Sequence, residues 1–207
     1  MRRRLTATGI SKRYGPKAIL RDVDLAASGG ECLGIVGDNG SGKSTLLRVL
    51  AGVLTADSGS VALTIDEHDV APETIPQHVG FVAPYLRLYD EFTSTELLHL
   101  HARWHGRHVD ATHVARILDR VGLADRANDI IRTFSSGLQQ RMSIALAVHL
   151  SPDVLILDEP SVTLDRRGRD VLEAEILRAR AEGVIVILAT NDDRERQLCT
   201  SIFNVSS

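Results

Sequence analysis

Residues Gly37-Asp38-Asn39-Gly40-Ser41-Gly42-Lys43-Ser44-Thr45 fit the pattern G-x-x-x-x-G-K-[ST], a phosphate-binding loop. No other stretch constrains the fold as much. The apolar run Glu31 to Val36 before it reads as a buried strand, and Ser44 to Ala51 after it has helical spacing of apolar residues. A strand, a glycine-rich loop and a helix in that order are the context in which the pattern has its meaning. The chemistry accounts for the residue types. Gly37, Gly40 and Gly42 let the backbone turn its N–H groups toward phosphate oxygens, and the helix adds its positive dipole end. Lys43 is the candidate for the β- and γ-phosphates of a nucleotide, and the Ser44 hydroxyl for Mg²⁺.

Alternating apolar and polar residues predict a strand over Leu5 to Ile10 and a second over Ile19 to Leu25, with Lys12 to Pro16 as the turn between them. Further strands are expected over Ser60 to Ile65 and Val79 to Ala83. The middle changes character. Thr95 to His105, Val109 to Val121 and Leu138 to His149 have helical periodicity. Strand and helix then alternate again: Val154 to Leu157, Arg167 to Ala181, Val184 to Ala189, Asp193 to Cys199, and Ile202 to Val205. The expectation is an α/β fold: a P-loop NTPase core with a mostly parallel sheet, an N-terminal antiparallel β part and an inserted helical subdomain. The boundaries place the core at 1–83 and 151–207 and the helical part at 84–150.

A chain of 207 residues with 43% hydrophobic and 25% charged residues is ordinary for a globular domain. Its net charge of −3 gives no electrostatic reason to expect nucleic acid as a partner. The two cysteines, Cys32 and Cys199, read as free thiols in a reducing compartment. No run of 18 apolar residues occurs, so work at a membrane needs a separate subunit to supply the spans.

Two further stretches carry chemistry. Val154-Leu155-Ile156-Leu157 runs into Asp158-Glu159-Pro160, an apolar strand ending in two acids. Asp158 is placed to hold Mg²⁺, and Glu159 to polarise an attacking water. Phe134-Ser135-Ser136-Gly137-Leu138 precedes a helix, and is either a phosphate-binding nest or an ordinary helix cap.

Together these stretches resemble the ATP-binding cassette (ABC) ATPase family over nearly the whole chain. Phe134 to Leu138 is similar to the family signature, keeping Ser135 and Gly137 but carrying Ser136 and Leu138 at its third and fifth positions. Ser161 to Asp165 is similar to the family D-loop through Leu164 and Asp165. Tyr14 falls where the family has an aromatic that stacks on adenine. The resemblance implies ATP and Mg²⁺ as cofactors and a head-to-tail homodimer, each ATP lying between one copy's phosphate loop and the other's signature. It also implies a separate transmembrane permease, and a peripheral place on the cytoplasmic face of the inner (plasma) membrane.

Two positions depart from the family. Pro84 stands where its Q-loop glutamine belongs, and Asn191 where its switch histidine contacts the γ-phosphate. An Asn can hydrogen-bond a phosphate but cannot carry a positive charge. Turnover is therefore expected, through Glu159 with Asn191 near the γ-phosphate, but slow. The size and motif style look like the ATPase of the haem exporter of cytochrome c maturation. A non-transport ABC ATPase and an ATP clamp without turnover are the competing readings. His99, His101, His105, His108 and His113 read as a solvated helix face rather than a metal or haem site, and Trp104 as a packing or docking residue.

Overall fold

The computed structural model describes residues 1–205. β1 (Arg3–Tyr14) and β2 (Lys17–Ser28) form an antiparallel hairpin that reverses at Gly15 and Pro16. The turn expected over Lys12 to Pro16 is thus two residues long. Lys12, Arg13 and Tyr14 continue the ladder opposite Leu20, Ala18 and Lys17 through register shifts that twist the ribbon. β3 (Cys32–Val36) leads into the phosphate loop and α1 (Lys43–Leu50). β4 (Ser58–Ile65) pairs with the other edge of β1 and carries β5 (His68–Asp69), a two-residue strand with no periodic signal. This makes a four-stranded antiparallel sheet in the order β2-β1-β4-β5.

A 3₁₀ turn over Pro72–His78 leads to β6 (Val79–Val82). Three helices follow: α2 (Ser94–Trp104), α3 (Ala111–Arg120) and α4 (Ser136–Val148). Then come β7 (Val154–Asp158), α5 (Arg166–Ala181), β8 (Ile185–Ala189), α6 (Asp193–Arg196) and β9 (Ser201–Asn204). The second sheet is parallel throughout, in the order β6-β7-β8-β3-β9. The helix expected over Asp193 to Cys199 is only four residues long.

The helix starts were written locally. Thr93 and Glu96 form a reciprocal capping box on α2, and Asp110, Ser135, Asp165 and Asp192 cap α3 to α6.

The parallel sheet is buried on both faces, which is why its strands are unbroken apolar runs. Val154, Ile156, Ile185, Ile187 and Ala189 pack toward α1 and the antiparallel sheet. Leu155, Leu157, Val186 and Leu188 pack the other way, onto α4, α5 and the cluster formed with Leu97, Leu98, Ile117 and Leu118. Each such side chain contributes roughly 1.5–3 kcal/mol by leaving water. Gly80 lets β6 lie flat against α4: a Cβ there would sit 2.1 Å from the Ala147 carbonyl oxygen. Glu175, 3% exposed on α5, takes a bidentate hydrogen-bonded ion pair from Arg120 and ties α3 down.

Candidate nucleotide site

Three neighbouring strands bring the site together. In the ladder, Ile35 on β3 lies beside Ala189 on β8, and Ala189 beside Asp158 on β7. The phosphate loop, the Asp158-Glu159 pair and Thr190-Asn191 therefore leave the sheet at one edge, outside the carboxyl ends of parallel strands, where such sheets bind ligands.

The loop is shaped by its glycines. Gly37 has φ 150°, and a Cβ on it would stand 2.8 Å from both Ser41 Oγ and the Val205 carbonyl oxygen. Gly42 has φ 106° and begins α1 with no side-chain cap, so the first-turn N–H groups of that helix are left for a ligand. Asp38, Asn39 and Gly40 form the exposed crown of the loop; Thr45 is half-buried on the helix. Lys43, the candidate for the nucleotide phosphates, does not stand out into solvent. It is 6% exposed and folds back, its ammonium donating to the carbonyls of Gly37 at 2.8 Å and Asp38 at 3.3 Å. That places a cation in the cradle itself.

Two buried polar atoms in this region have no protein partner: Ser41 Oγ and Asp158 Oδ2. Asp158 is 2% exposed. Burial pushes its carboxyl above the ordinary range, and the adjacent Ser44 hydroxyl works the other way. A carboxylate oxygen beside a hydroxyl, both turned toward an anion cradle, is a donor set for a hard divalent cation, so these residues fit a nucleotide with its metal. Glu159 follows with φ 44°, a left-handed backbone that is costly for a non-glycine residue, held by its N–H donating to the Ala189 carbonyl at 2.9 Å. The strain turns its carboxylate out of the strand to line an open groove of about 410 Å³ with Pro84, Ser136, Gln139, Gln140 and Thr163.

Asn191 is exposed and shares an open recess of about 630 Å³ with Gly37, Asp38 and Asn39. Its amide donates to Asn39 Oδ1 at 3.1 Å. It does not cap the helix that follows; Asp192 does, accepting from the N–H groups of Arg194 and Glu195.

The signature stretch lies on α4, and none of its residues lines the recess at the phosphate loop. Ser135 Oγ caps α4 by accepting from the Leu138 N–H at 3.4 Å, and Gly137 packs against the Thr163 carbonyl. Asp165 caps α5 and pairs with the buried Arg141 at 2.5 Å, so its carboxylate is occupied within its own copy. Tyr14, at the end of β1, is 49% exposed, as a platform for a flat ring requires. Sequence reading passed over Gln140, whose amide donates to the Pro160 carbonyl at 2.8 Å and so joins α4 to the exit of the Asp158 strand. A polar residue on a helix gives no sign of such a distant partner.

His108 is exposed, as a solvated face requires, but His101, His105 and His113 are half-buried and turn toward His149. His101 Nδ1 meets Nε2 of His149 at 2.7 Å, and the rings of His105 and His113 stand 4.6 Å from His101 and 6.2 Å from His149 respectively. His149, 1% exposed, draws them inward. Among the described residues no group of three or more His, Cys, Asp or Glu is arranged to hold a metal ion. Cys32 and Cys199 are free, their sulfurs 4.0 Å apart.

These features define a P-loop nucleotide-binding domain. A family model described as "ABC transporter" matches residues 20–162, and the chain belongs to that family, whose ATPase domains hydrolyse ATP. The chain is 36% identical over 196 residues to the "Uncharacterized ABC transporter ATP-binding protein YdbJ" of Bacillus subtilis (strain 168), covering 94% of this chain and 63% of that protein. It is 34% identical over 203 residues to the "Linearmycin resistance ATP-binding protein LnrL" of the same organism, covering 96% and 65%. The chain thus spans less than two thirds of the length of these relatives. Its fold matches the dimeric post-hydrolysis ATP-binding cassette MJ0796 bound to ADP and Pi, with a TM-score of 0.85 at 23% identity over 98% of this chain and 94% of that one.

Proposed function

We propose that this chain binds and hydrolyses ATP as the motor component of an ABC transporter, acting as a head-to-tail homodimer that drives a separate permease. The observation that carries this reading is the division of the phosphate-binding elements. Gly37 to Thr45, Asp158, Glu159 and Asn191 share one sheet edge, while Ser135 and Gly137 lie at the start of α4, outside that recess. A second copy with its α4 start over the loop completes the phosphate shell.

Within each site, Lys43 leaves its loop carbonyls for the β- and γ-phosphates, and the free N–H groups of α1 bind their oxygens. Ser44 and Asp158 would hold Mg²⁺, which would neutralise phosphate charge. Glu159 takes the proton of the attacking water, and the Asn191 amide donates to the γ-phosphate. Tyr14 stacks on the adenine.

Residues 84–150 form the unit that meets the permease. Tyr89 and Trp104, both more than half exposed, stack edge to face at 5.3 Å beside an apolar cavity of about 240 Å³ lined by Leu86, Leu88 and Leu146. An exposed aromatic pair beside such a cavity suits an inserted apolar side chain. Among the described residues no helix is long and apolar enough to cross a membrane. On this reading the chain sits peripherally on the cytoplasmic face of the plasma membrane.

The test is gel filtration of Glu159→Gln with MgATP beside wild-type turnover, followed by identification of what co-purifies from detergent-solubilised membranes. A nucleotide-dependent dimer and a polytopic membrane protein are expected. A chain that stays monomeric with MgATP, or that brings down ribosomes or DNA, overturns the reading. Haem remains the cargo suggested by Ala83-Pro84-Tyr85 and Phe134 to Gly137 alone. Haem accumulation in vesicles carrying the co-purified permease, dependent on ATP, is its test. Asn191 in the histidine position favours one second reading, a slow clamp that closes on ATP and rarely turns over.

A further inference from the structure

The loop that leaves β6 is fastened to the phosphate-loop helix by a contact that sequence patterns do not show. Pro84 has neither a backbone N–H nor a polar side chain to offer the nucleotide site. The next residue reaches across instead. The Tyr85 ring lies against Arg48 of α1, with the guanidinium carbon 4.0 Å from the ring centroid. Phe81 of β6 packs its ring edge-on to Tyr85, with centroids 6.4 Å apart at 71°.

Arg48 is an unusual cation for a helix flank. Among the described residues its side chain makes no ion pair and its Nε is buried without a partner. What it has is the Tyr85 side chain, ring face and hydroxyl together. It stands one turn after Ser44 on α1, so the two side chains lie on the same side of the helix. Its charge also acts on Asp158. A guanidinium one turn along α1 from Ser44, with no carboxylate partner of its own, is arranged for a site that gains negative charge when MgATP arrives.

We propose that Arg48 is a positioning residue of the nucleotide site and that the Tyr85 ring positions it, fastening the segment after β6 to the phosphate-loop helix. The inference rests on the MgATP reading above. Without the ring, Arg48 turns out into water, and Pro84 to Leu88 loses its hold on α1.

The full chain is tested as wild type, Arg48→Met, Tyr85→Ala, Tyr85→Phe and the double variant Arg48→Met/Tyr85→Ala. Three quantities are measured: affinity for a fluorescent ATP analogue across a MgCl₂ titration, amide hydrogen exchange of residues 85–88 without nucleotide, and the KM and kcat of ATP hydrolysis. A single cation–π contact is worth about five-fold in affinity. Arg48→Met and Tyr85→Ala are each expected to weaken analogue binding about that much, to raise KM with little change in kcat, and to speed exchange at 85–88. The double variant should be no worse than either single one, and Tyr85→Phe, which keeps the ring and loses the hydroxyl, should lose less than Tyr85→Ala. Additive effects, an equal loss in Tyr85→Phe, or unchanged affinity and exchange in folded variants would each overturn the proposal. If Tyr85→Ala does not fold, Arg48→Met and Tyr85→Phe decide alone. A wild-type chain that binds no analogue removes the nucleotide reading itself, and the inference with it. Wild-type binding with indifferent variants removes only the clamp.

Discussion

The Asn191 amide donates to Asn39 Oδ1 at 3.1 Å, joining the end of β8 to the crown of the phosphate loop across 152 positions of sequence. The two side chains share one open recess with Gly37 and Asp38. Asn191 is thereby aimed at the phosphates by a partner that is itself part of the loop, and helix capping is left to Asp192.

Asn191→Ala is expected to lower kcat several-fold while leaving Tm unchanged, since the residue is exposed and caps nothing. Asn191→His should raise kcat a few-fold, because a charge-assisted hydrogen bond exceeds a neutral one by about 1 kcal/mol. Steady-state kinetics and a thermal melt on both variants check this. A Tm loss with unaltered kcat would return Asn191 to a structural role.

Glu159→Gln keeps the shape of the side chain and its left-handed backbone but removes the base. ATP binding should persist, turnover should fall by at least about 100-fold, and a nucleotide-bound dimer should accumulate on gel filtration. Wild-type turnover in this variant would exclude Glu159 as the base.

Lys43→Ala should abolish tight nucleotide binding, measured by equilibrium titration. The buried ammonium also holds the carbonyls of Gly37 and Asp38, so the loop should loosen in the nucleotide-free protein. Faster hydrogen exchange over residues 37–43 is the readout. Unchanged affinity in a folded variant would contradict the role of the loop.

The buried histidines make the helical region sensitive to acid. Burial lowers His149 to about 3 and His101 to about 4, each pressed further by its histidine neighbours, against 6.5 in the unfolded chain. As pH falls below about 6.5 the unfolded chain takes up protons that the folded one refuses, so stability is full above that pH and is lost on the way down. Arg107, donating to the Leu150 carbonyl, adds positive charge from the neighbouring segment, and the His113 ring faces the His149 carbonyl. Tm should fall more steeply between pH 7 and 5 in the wild type than in His149→Gln. Parallel profiles would show that these rings do not govern the acid response.

Gly80→Ala should destabilise the fold by about 1–3 kcal/mol or more, because the new methyl group meets the Ala147 carbonyl. In a domain of this size that is a Tm loss of roughly 5 °C or more. An unchanged melt would mean that β6 and α4 separate freely.

Much of this protein was legible locally. Glycine freedom and the Lys43-Ser44 pair marked the phosphate loop, four apolar residues before Asp158-Glu159 marked a strand ending in acids, and Ser135-Ser136-Gly137 marked a helix start. Each of these signals depends on residues within a few positions of one another, so one dimension suffices to read them. Tertiary structure alone decided the rest. It turned Lys43 inward, set His149 beneath a helix face that looked solvated, and placed Arg48 under Tyr85 and Asn191 against Asn39. Those choices rest on the register of parallel strands and on two-sided packing. These join residues dozens to more than a hundred positions apart, and composition and periodicity carry no record of such pairs.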